Sequence, residues 1–198
     1  MQKVSKELLA AYQSKAVSYP TIDISNVQTW SLSSPESLLK LVRLREIMLL
    51  NELNKNMTTK LGRGEALFDV WMKQESDLIQ GLARAFGERI CLESIMSAIA
   101  NESTASVKQV LSKLARLFAH SLINENLGWY LSTALVSIET GKQVPALQRQ
   151  LVKELSPYSM DLIEALGVKP WMVFAPIAND WKAYNADDNR GELIKPRL

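Results

Sequence analysis

Apolar side chains recur along most of this chain at intervals of three and four, the spacing that gathers them on one side of an α-helix. A first such segment runs from Lys3 to about Lys15, with Leu8, Leu9 and Tyr12 on one side. The stretch Ser18-Tyr19-Pro20-Thr21-Ile22-Asp23-Ile24-Ser25 breaks the pattern. A connector of about 18 residues is long for a compact domain and points to a link between packed units. Ser34 then offers an N-cap with Pro35 at the first helical position. Leu38, Leu41, Val42, Arg45, Leu49, Leu50 and Leu53 follow at helical spacing until the glycines of Gly62-Arg63-Gly64 permit a reversal. The next pattern predicts one long helix from Glu65 to about Ala100, with Leu67, Val70, Trp71, Leu78, Leu82, Ala85, Phe86 and Ile90 as its stripe. Gly81 inside it is expected to allow close packing, since an isolated helical glycine otherwise costs about 1 kcal/mol.

Asn101-Glu102-Ser103-Thr104 interrupts the pattern, and a strongly amphipathic helix follows. Its predicted inner face is Val107, Val110, Leu111, Leu114, Leu117, Phe118, Ser121 and Leu122. Gly141 and Pro145 mark the next boundary, and a last helix is expected from about Pro145 to Leu166 with Leu147, Leu151, Leu155, Leu162, Ile163 and Leu166 inward. Pro157 predicts a kink or split within it, and Gly167 with Pro170 its end. No stretch alternates with period two. The fold class expected is all-α, an antiparallel bundle of about five helices. Residues 1–15 form a leading helix, 16–33 the connector and 34–198 the bundle with an irregular tail.

Composition changes this picture little. In 198 residues, 47% are apolar and 22% charged, with a formal net charge of +2, which gives no field to favour nucleic acid. No apolar run reaches the 18 residues that a membrane helix needs. The segment after Met1 lacks the apolar core and cleavage site of a signal peptide. Cys91 is the only cysteine, so no intrachain disulfide can form; it is expected to be a buried free thiol. His120 is the only histidine, too few ligands for a zinc site.

Candidate chemistry is correspondingly sparse. Gly62-Arg63-Gly64 is too short for a dinucleotide loop. His120 beside Ser121 is the only base available to a nucleophile, and a structural histidine is the better reading. The carboxylate pairs Glu88/Glu93 and Asp161/Glu164 read as polar helix faces. Trp30, Trp71, Trp129, Trp171 and Trp181 are dispersed in apolar patterns and read as core and interface packing. Catalytic, cofactor-binding and metal residues are therefore assigned to none.

Several stretches together resemble the C-terminal region of acyl-CoA oxidases. Leu61-Gly62-Arg63-Gly64-Glu65-Ala66-Leu67-Phe68-Asp69-Val70-Trp71 looks like that family's turn into its long helix. The run Asp77 to Arg89 resembles the next part, and Ile123-Asn124-Glu125-Asn126-Leu127-Gly128-Trp129-Tyr130-Leu131 looks like its "I-E-E-D-x-G-W-F-L". Glu154-Leu155-Ser156-Pro157-Tyr158-Ser159-Met160-Asp161-Leu162-Ile163-Glu164-Ala165-Leu166-Gly167-Val168, followed by Ala175-Pro176-Ile177-Ala178, is the strongest match. The resemblance covers the chain from about Arg43 onward, and Met1 to Leu9 resembles the helix that follows the family's catalytic glutamate. It implies an enzyme that uses FAD to oxidise acyl-CoA to the 2-trans-enoyl-CoA, with oxygen reduced to hydrogen peroxide. It also implies that the flavin-binding and catalytic domains, with the glutamate base, belong upstream of this portion. This portion would then be structural, packing on those domains and helping to form a homodimer. A free-standing helical adaptor or assembly subunit derived from the same domain is the alternative. The final Pro196-Arg197-Leu198 resembles the tripeptide read by the peroxisomal import receptor, which implies a peroxisomal location, or cytoplasm for a bacterial chain.

Overall fold

The computed structural model describes residues 22–173 together with residues 175, 180, 182 and 186. The expected helix from Lys3 to Lys15, the connector before residue 22, Trp181 and the tripeptide Pro196, Arg197 and Leu198 lie outside the described residues. Among the described residues the regular elements are all helical, as the period of the sequence predicts. The chain divides into two compact units, one ending at Glu154 and the other starting at Leu155.

The first unit is built on three long helices. Helix α1 spans Pro35–Gly62, and its start follows the sequence signal: Ser34 Oγ accepts the Ser37 N–H, and Pro35 occupies the first turn. Its end also follows the signal. Gly64 takes φ +83° and donates its N–H to the Leu61 carbonyl at 2.9 Å, a left-handed stop that favours glycine.

The single long helix expected from Glu65 to Ala100 is instead broken. A short α-turn, Leu67–Asp69, runs into a π-turn, Val70–Gln74, and only then does helix α2 begin, spanning Ser76–Asn101. The reason lies in two residues that must both face α1. Val70 is fully buried, and Glu75 is 5% exposed and bound to α1 through Lys60 and Asn56. Residues five apart sit about 140° apart around a regular α-helix at ~100° per residue. A turn closing through an i to i+5 hydrogen bond brings them to one side, and Glu75 N–H indeed donates to the Val70 carbonyl at 2.9 Å.

Helix α3, Ala105–Glu125, lies against both α1 and α2. Its buried face shares only Leu122 with the expected stripe: Val107 is 43% exposed and Leu111, Leu114 and Leu117 are half-buried, whereas Ala115, Ala119, His120 and Ile123 are buried beside Leu122. The small side chains at Ala115 and Ala119 let α3 approach Pro35, Leu38, Leu92 and Met96 closely, leaving a gap of only about 10 Å³. Gly81 on α2 plays no such part, because a methyl group added there meets nothing within 4 Å.

Short helix α4, Leu127–Ser132, ends at Ala134, which takes φ +57°. Helix α5 spans Ile138–Leu155 and so starts well before Pro145. Ser137 Oγ accepts the Thr140 N–H at 3.1 Å, and this cap opens the helix. Gly141 lies inside α5, where an added methyl would come within 3.1 Å of the Leu131 side chain. Gly141 thus serves close packing against α4, and Pro145 sits inside the helix. One core joins these elements: Leu38, Leu41, Val42, Leu92, Leu122, Ile123, Tyr130, Leu135, Val136 and Val144 are buried together. Tyr130 hydroxyl reaches the Leu41 carbonyl at 3.3 Å, and burial pushes its phenol well above the usual range.

The second unit begins at Leu155. A 3₁₀ turn, Ser156–Tyr158, separates α5 from helix α6, Ser159–Ala165, so the split expected at Pro157 occurs. Gly167 ends α6 at φ +67° with its N–H on the Glu164 carbonyl at 2.9 Å. The inward placement expected of Ile163 and Leu166 does not hold; they are 55% and 76% exposed, and Leu162 is half-buried.

Candidate functional site

Two features of the first unit stand out from ordinary bundle packing: a sheltered lattice of charges between α1 and α2, and an exposed apolar face at the π-turn. The lattice is built from about one turn of α1, Arg43 to Glu46, and about three turns of α2, Arg84 to Glu93. Arg43 Nε meets Glu93 at 2.8 Å, Arg45 Nη1 meets Glu88 at 2.6 Å, and Arg89 grips Glu46 through Nε and through Nη2 at 3.2 Å. Arg89 Nη1 also holds Glu93 at 2.8 Å, and Arg84 bridges Glu88 to Glu125 of α3. Arg43 in the first half of α1 pairs with Glu93 in the second half of α2, and Lys60 at the end of α1 pairs with Glu75 just before α2, so the two helices run antiparallel. The Glu46 side chain is 1% exposed. Burial works against the charge on Arg89, but the hydrogen bonds and charges of Glu46 and Glu93 outweigh it and hold that guanidinium above its ordinary pKa.

This arrangement corrects the reading of Glu88/Glu93 as a polar outer face. Both turn toward α1, Glu88 bound by Arg45 and Arg84 and Glu93 by Arg43 and Arg89. A general base needs a pKa near the working pH. The Lys60 ammonium, then Asn56, holds the Glu75 carboxyl below its usual range, the opposite direction. Asp161 and Glu164 are exposed on α6. A signal for the lattice was present: Arg45 falls inside the apolar stripe of α1, where a charge demands a buried partner.

His120 is fully buried, and among the described residues neither ring nitrogen has a partner of full hydrogen-bond geometry. Its polar surroundings are the Leu32 carbonyl and the Arg116 guanidinium, and burial lowers its pKa. Ser121 is not its nucleophile. The Ser121 hydroxyl donates to the Leu117 carbonyl at 3.0 Å and accepts from Gln148 at 3.0 Å. Among the described residues no group of three or more His, Cys, Asp or Glu is placed to hold a metal ion. No described helix is long and apolar enough to cross a membrane. Cys91 is exposed rather than buried, because its neighbour Leu92 is the residue that turns inward.

The tryptophans divide. Trp129 packs edge-on against Tyr130 with centroids 5.1 Å apart, and Trp30 is half-buried beneath the Lys40 ammonium. Trp71 and Trp171 are 44% and 71% exposed and so lie outside the core. Trp71 belongs to the second feature. With Met57, Leu67, Phe68 and Met72 it lines an open groove of about 480 Å³. Sequence reasoning placed Leu67, Val70 and Trp71 on one stripe; the π-turn gives the core only Val70 and leaves the others outside. The usable signal was the density of Leu67-Phe68-Asp69-Val70-Trp71-Met72, which is apolar on more sides than one helix can bury.

The groove walls are the largely apolar side chains already named, and a second groove of about 300 Å³ runs along Pro35, Met96 and Ala115.

Comparison with known proteins gives one consistent answer. A family model described as acyl-CoA oxidase matches residues 34–185. The chain is 30% identical over 144 residues to a peroxisomal acyl-coenzyme A oxidase 3 of Arabidopsis thaliana, covering 72% of this chain and 21% of that one. It is 29% identical over 143 residues to a putative acyl-coenzyme A oxidase of the same plant, covering 72% of this chain and 74% of that relative. In structure it matches acyl-CoA oxidase 3 from Yarrowia lipolytica with a TM-score of 0.68 at 22% identity, over 85% of this chain and 25% of that one. The chain therefore spans about a fifth of the first relative and a quarter of the solved structure.

Proposed function

The chain belongs to the acyl-CoA oxidase family, and from that premise we propose that it is the C-terminal helical portion of such an enzyme, structural rather than catalytic. The observation that carries this reading is the family match across residues 34–185, over a bundle whose sheltered carboxylates Glu46, Glu75 and Glu88 are each bound by a cation. The complete enzyme would use FAD to oxidise an acyl-CoA to its 2-trans-enoyl-CoA, the flavin being reoxidised by oxygen to give hydrogen peroxide. The flavin and the base for the α-proton would reside in the flavin-binding and catalytic domains. The bundle would pack on these and help to form the homodimer. The peroxisomal designation of the plant relative supports a peroxisomal location, with Pro196, Arg197 and Leu198 as the residues read by the import receptor.

The test is complementation. A flavin-bearing acyl-CoA oxidase lacking its matching C-terminal region is assayed for peroxide with and without this chain. The purified chain alone is expected to show neither flavin absorbance nor peroxide release, and its addition is expected to restore or stabilise the truncated enzyme. Turnover by the chain alone would overturn the proposal. A reporter carrying the last residues of the chain is expected to lose peroxisomal import when Leu198 is removed.

One observation favours a second reading. The putative plant oxidase is about as long as this chain, since one alignment covers 72% of this chain and 74% of that relative. Short members of this kind suit a free-standing adaptor or assembly subunit. Binding to the truncated enzyme without any gain in peroxide would favour it.

A further inference from the structure

The exposed apolar groove at the π-turn is too well built to be incidental. Five side chains, Met57, Leu67, Phe68, Trp71 and Met72, line about 480 Å³. Phe68 is 67% exposed, Leu67 60% and Met72 54%. A contiguous apolar surface on a globular protein marks a contact, and Trp, Phe and Met are the residues enriched at contact centres. The backbone beneath is fixed. Val70 is wholly buried behind the turn, and Glu75 is clamped at 2.6 Å by Lys60 and at 3.1 Å by Asn56, both from α1. π-Turns are rare and tend to occur at functional sites; this one turns Val70 and Glu75 inward and so leaves Trp71 and Met72 outward. A face held rigid before binding loses little entropy when it is covered.

We propose that this face is the docking surface for the flavin-bearing part of an acyl-CoA oxidase. The inference rests on the reading of the chain as that enzyme's C-terminal portion and adds which surface makes the joint. Two observations choose this occupant over a second copy. The matched region accounts for 21% of the plant oxidase and 25% of the solved one, so in those proteins a bundle of this kind has much more polypeptide to pack against. The face is also small. Its five side chains fall well short of the roughly 20–30 residues a side that a stable dimer commits.

The experiment titrates the purified chain into the matched plant oxidase from which the corresponding region has been removed, and follows binding by calorimetry. Three variants are compared with the parent: Trp71→Glu and Phe68→Ser on the face, and Ile138→Ser, which is 68% exposed elsewhere on the same unit. Expected are binding by the parent, a loss of about tenfold or more in affinity for the two face variants, and no change for Ile138→Ser. Hydrogen exchange on the parent needs no variant: amides of residues 66–74 are expected to slow on binding. Binding that is equal in all variants, with no slowing at 66–74, overturns the docking face while leaving the family role standing. No binding by the parent overturns the C-terminal-portion reading and the docking face with it. Self-association of the chain alone that Trp71→Glu abolishes, with binding to the oxidase intact, assigns the face to a second copy and overturns the proposal.

Discussion

Ala134 and His120 show how much two residues can cost this fold. Ala134 sits at φ +57°, the left-handed region where a β-carbon is penalised. Its carbonyl accepts from the Gln28 side chain at 3.1 Å, tying residues 106 apart in sequence. Ala134→Val is expected to lower unfolding free energy by about 1–2 kcal/mol, since branching worsens that strain; urea denaturation that leaves the midpoint unmoved would contradict it. His120 is held neutral by burial, with its pKa below the usual 6.5. As pH falls below 6.5, the unfolded chain takes up a proton that the folded chain refuses, so stability is full above that pH and declines beneath it until the folded pKa is reached. The limit is about 1.4 kcal/mol per pH unit. His120→Leu is expected to remove this slope and to match or exceed the parent at pH 7.5, because two polar atoms without a partner of full hydrogen-bond geometry leave the core. Denaturation of parent and variant at pH 7.5 and 5.5 checks it: a difference between the two proteins that does not change with pH would exclude the mechanism. Neither position announced itself in the sequence. Nothing local marks an alanine for a left-handed turn, and a lone histidine one place off an apolar stripe reads equally well as wet or buried.

At the scale of elements, the lattice joins α1 to α2 by charge beside the apolar contacts of Leu38, Leu41, Val42 and Leu92. Glu46 and Arg89 are 1% and 16% exposed at their side chains, deep enough that breaking the pair strands a charge. Arg89→Ala is expected to cost about 3–5 kcal/mol. Exchanging both partners, Glu46→Met with Arg89→Met, is expected to recover most of that, since well-packed apolar replacements of a buried pair are often neutral or stabilising. Chemical unfolding of the single and double variants tests this, and a double variant as weak as the single one would refute it. The same helices show what was legible. Cap and stop of α1 are local chemistry, Ser34 with Pro35 and the pair of glycines, and both were readable. The faces of α3 were not, because the closest packing falls on Ala115 and Ala119, which a search for large apolar residues passes over. The π-turn was hidden for a related reason: it answers to Lys60 and Asn56, which are 15 and 19 positions from Glu75. Pairings of this kind are set by the tertiary fold, and helical periodicity carries no record of them.

For the whole molecule, the family and the all-α class were visible in ordered motifs spread over the chain, while the docking face emerged only once the π-turn had sorted Val70 inward from Trp71 and Met72 outward. The sorting has a consequence for the chain studied by itself. Side chains exposed on the π-turn face contribute little to folding, so replacing them by small polar groups should leave stability within about 0.5 kcal/mol. The same change removes apolar surface that would otherwise recruit a hydrophobic dye or other molecules of the chain. The double variant Phe68→Ser with Trp71→Ser is expected to unfold at the temperature of the parent, to bind less anilinonaphthalene sulfonate, and to stay soluble at higher concentration. Thermal unfolding followed by circular dichroism, which does not depend on the lost indole, gives the first quantity, and dye fluorescence gives the second. A marked fall in the unfolding temperature would mean that Phe68 and Trp71 are part of the bundle's core in solution. The face would then be a folding element, and the surface available to the flavin-bearing domains would have to be sought elsewhere on the first unit.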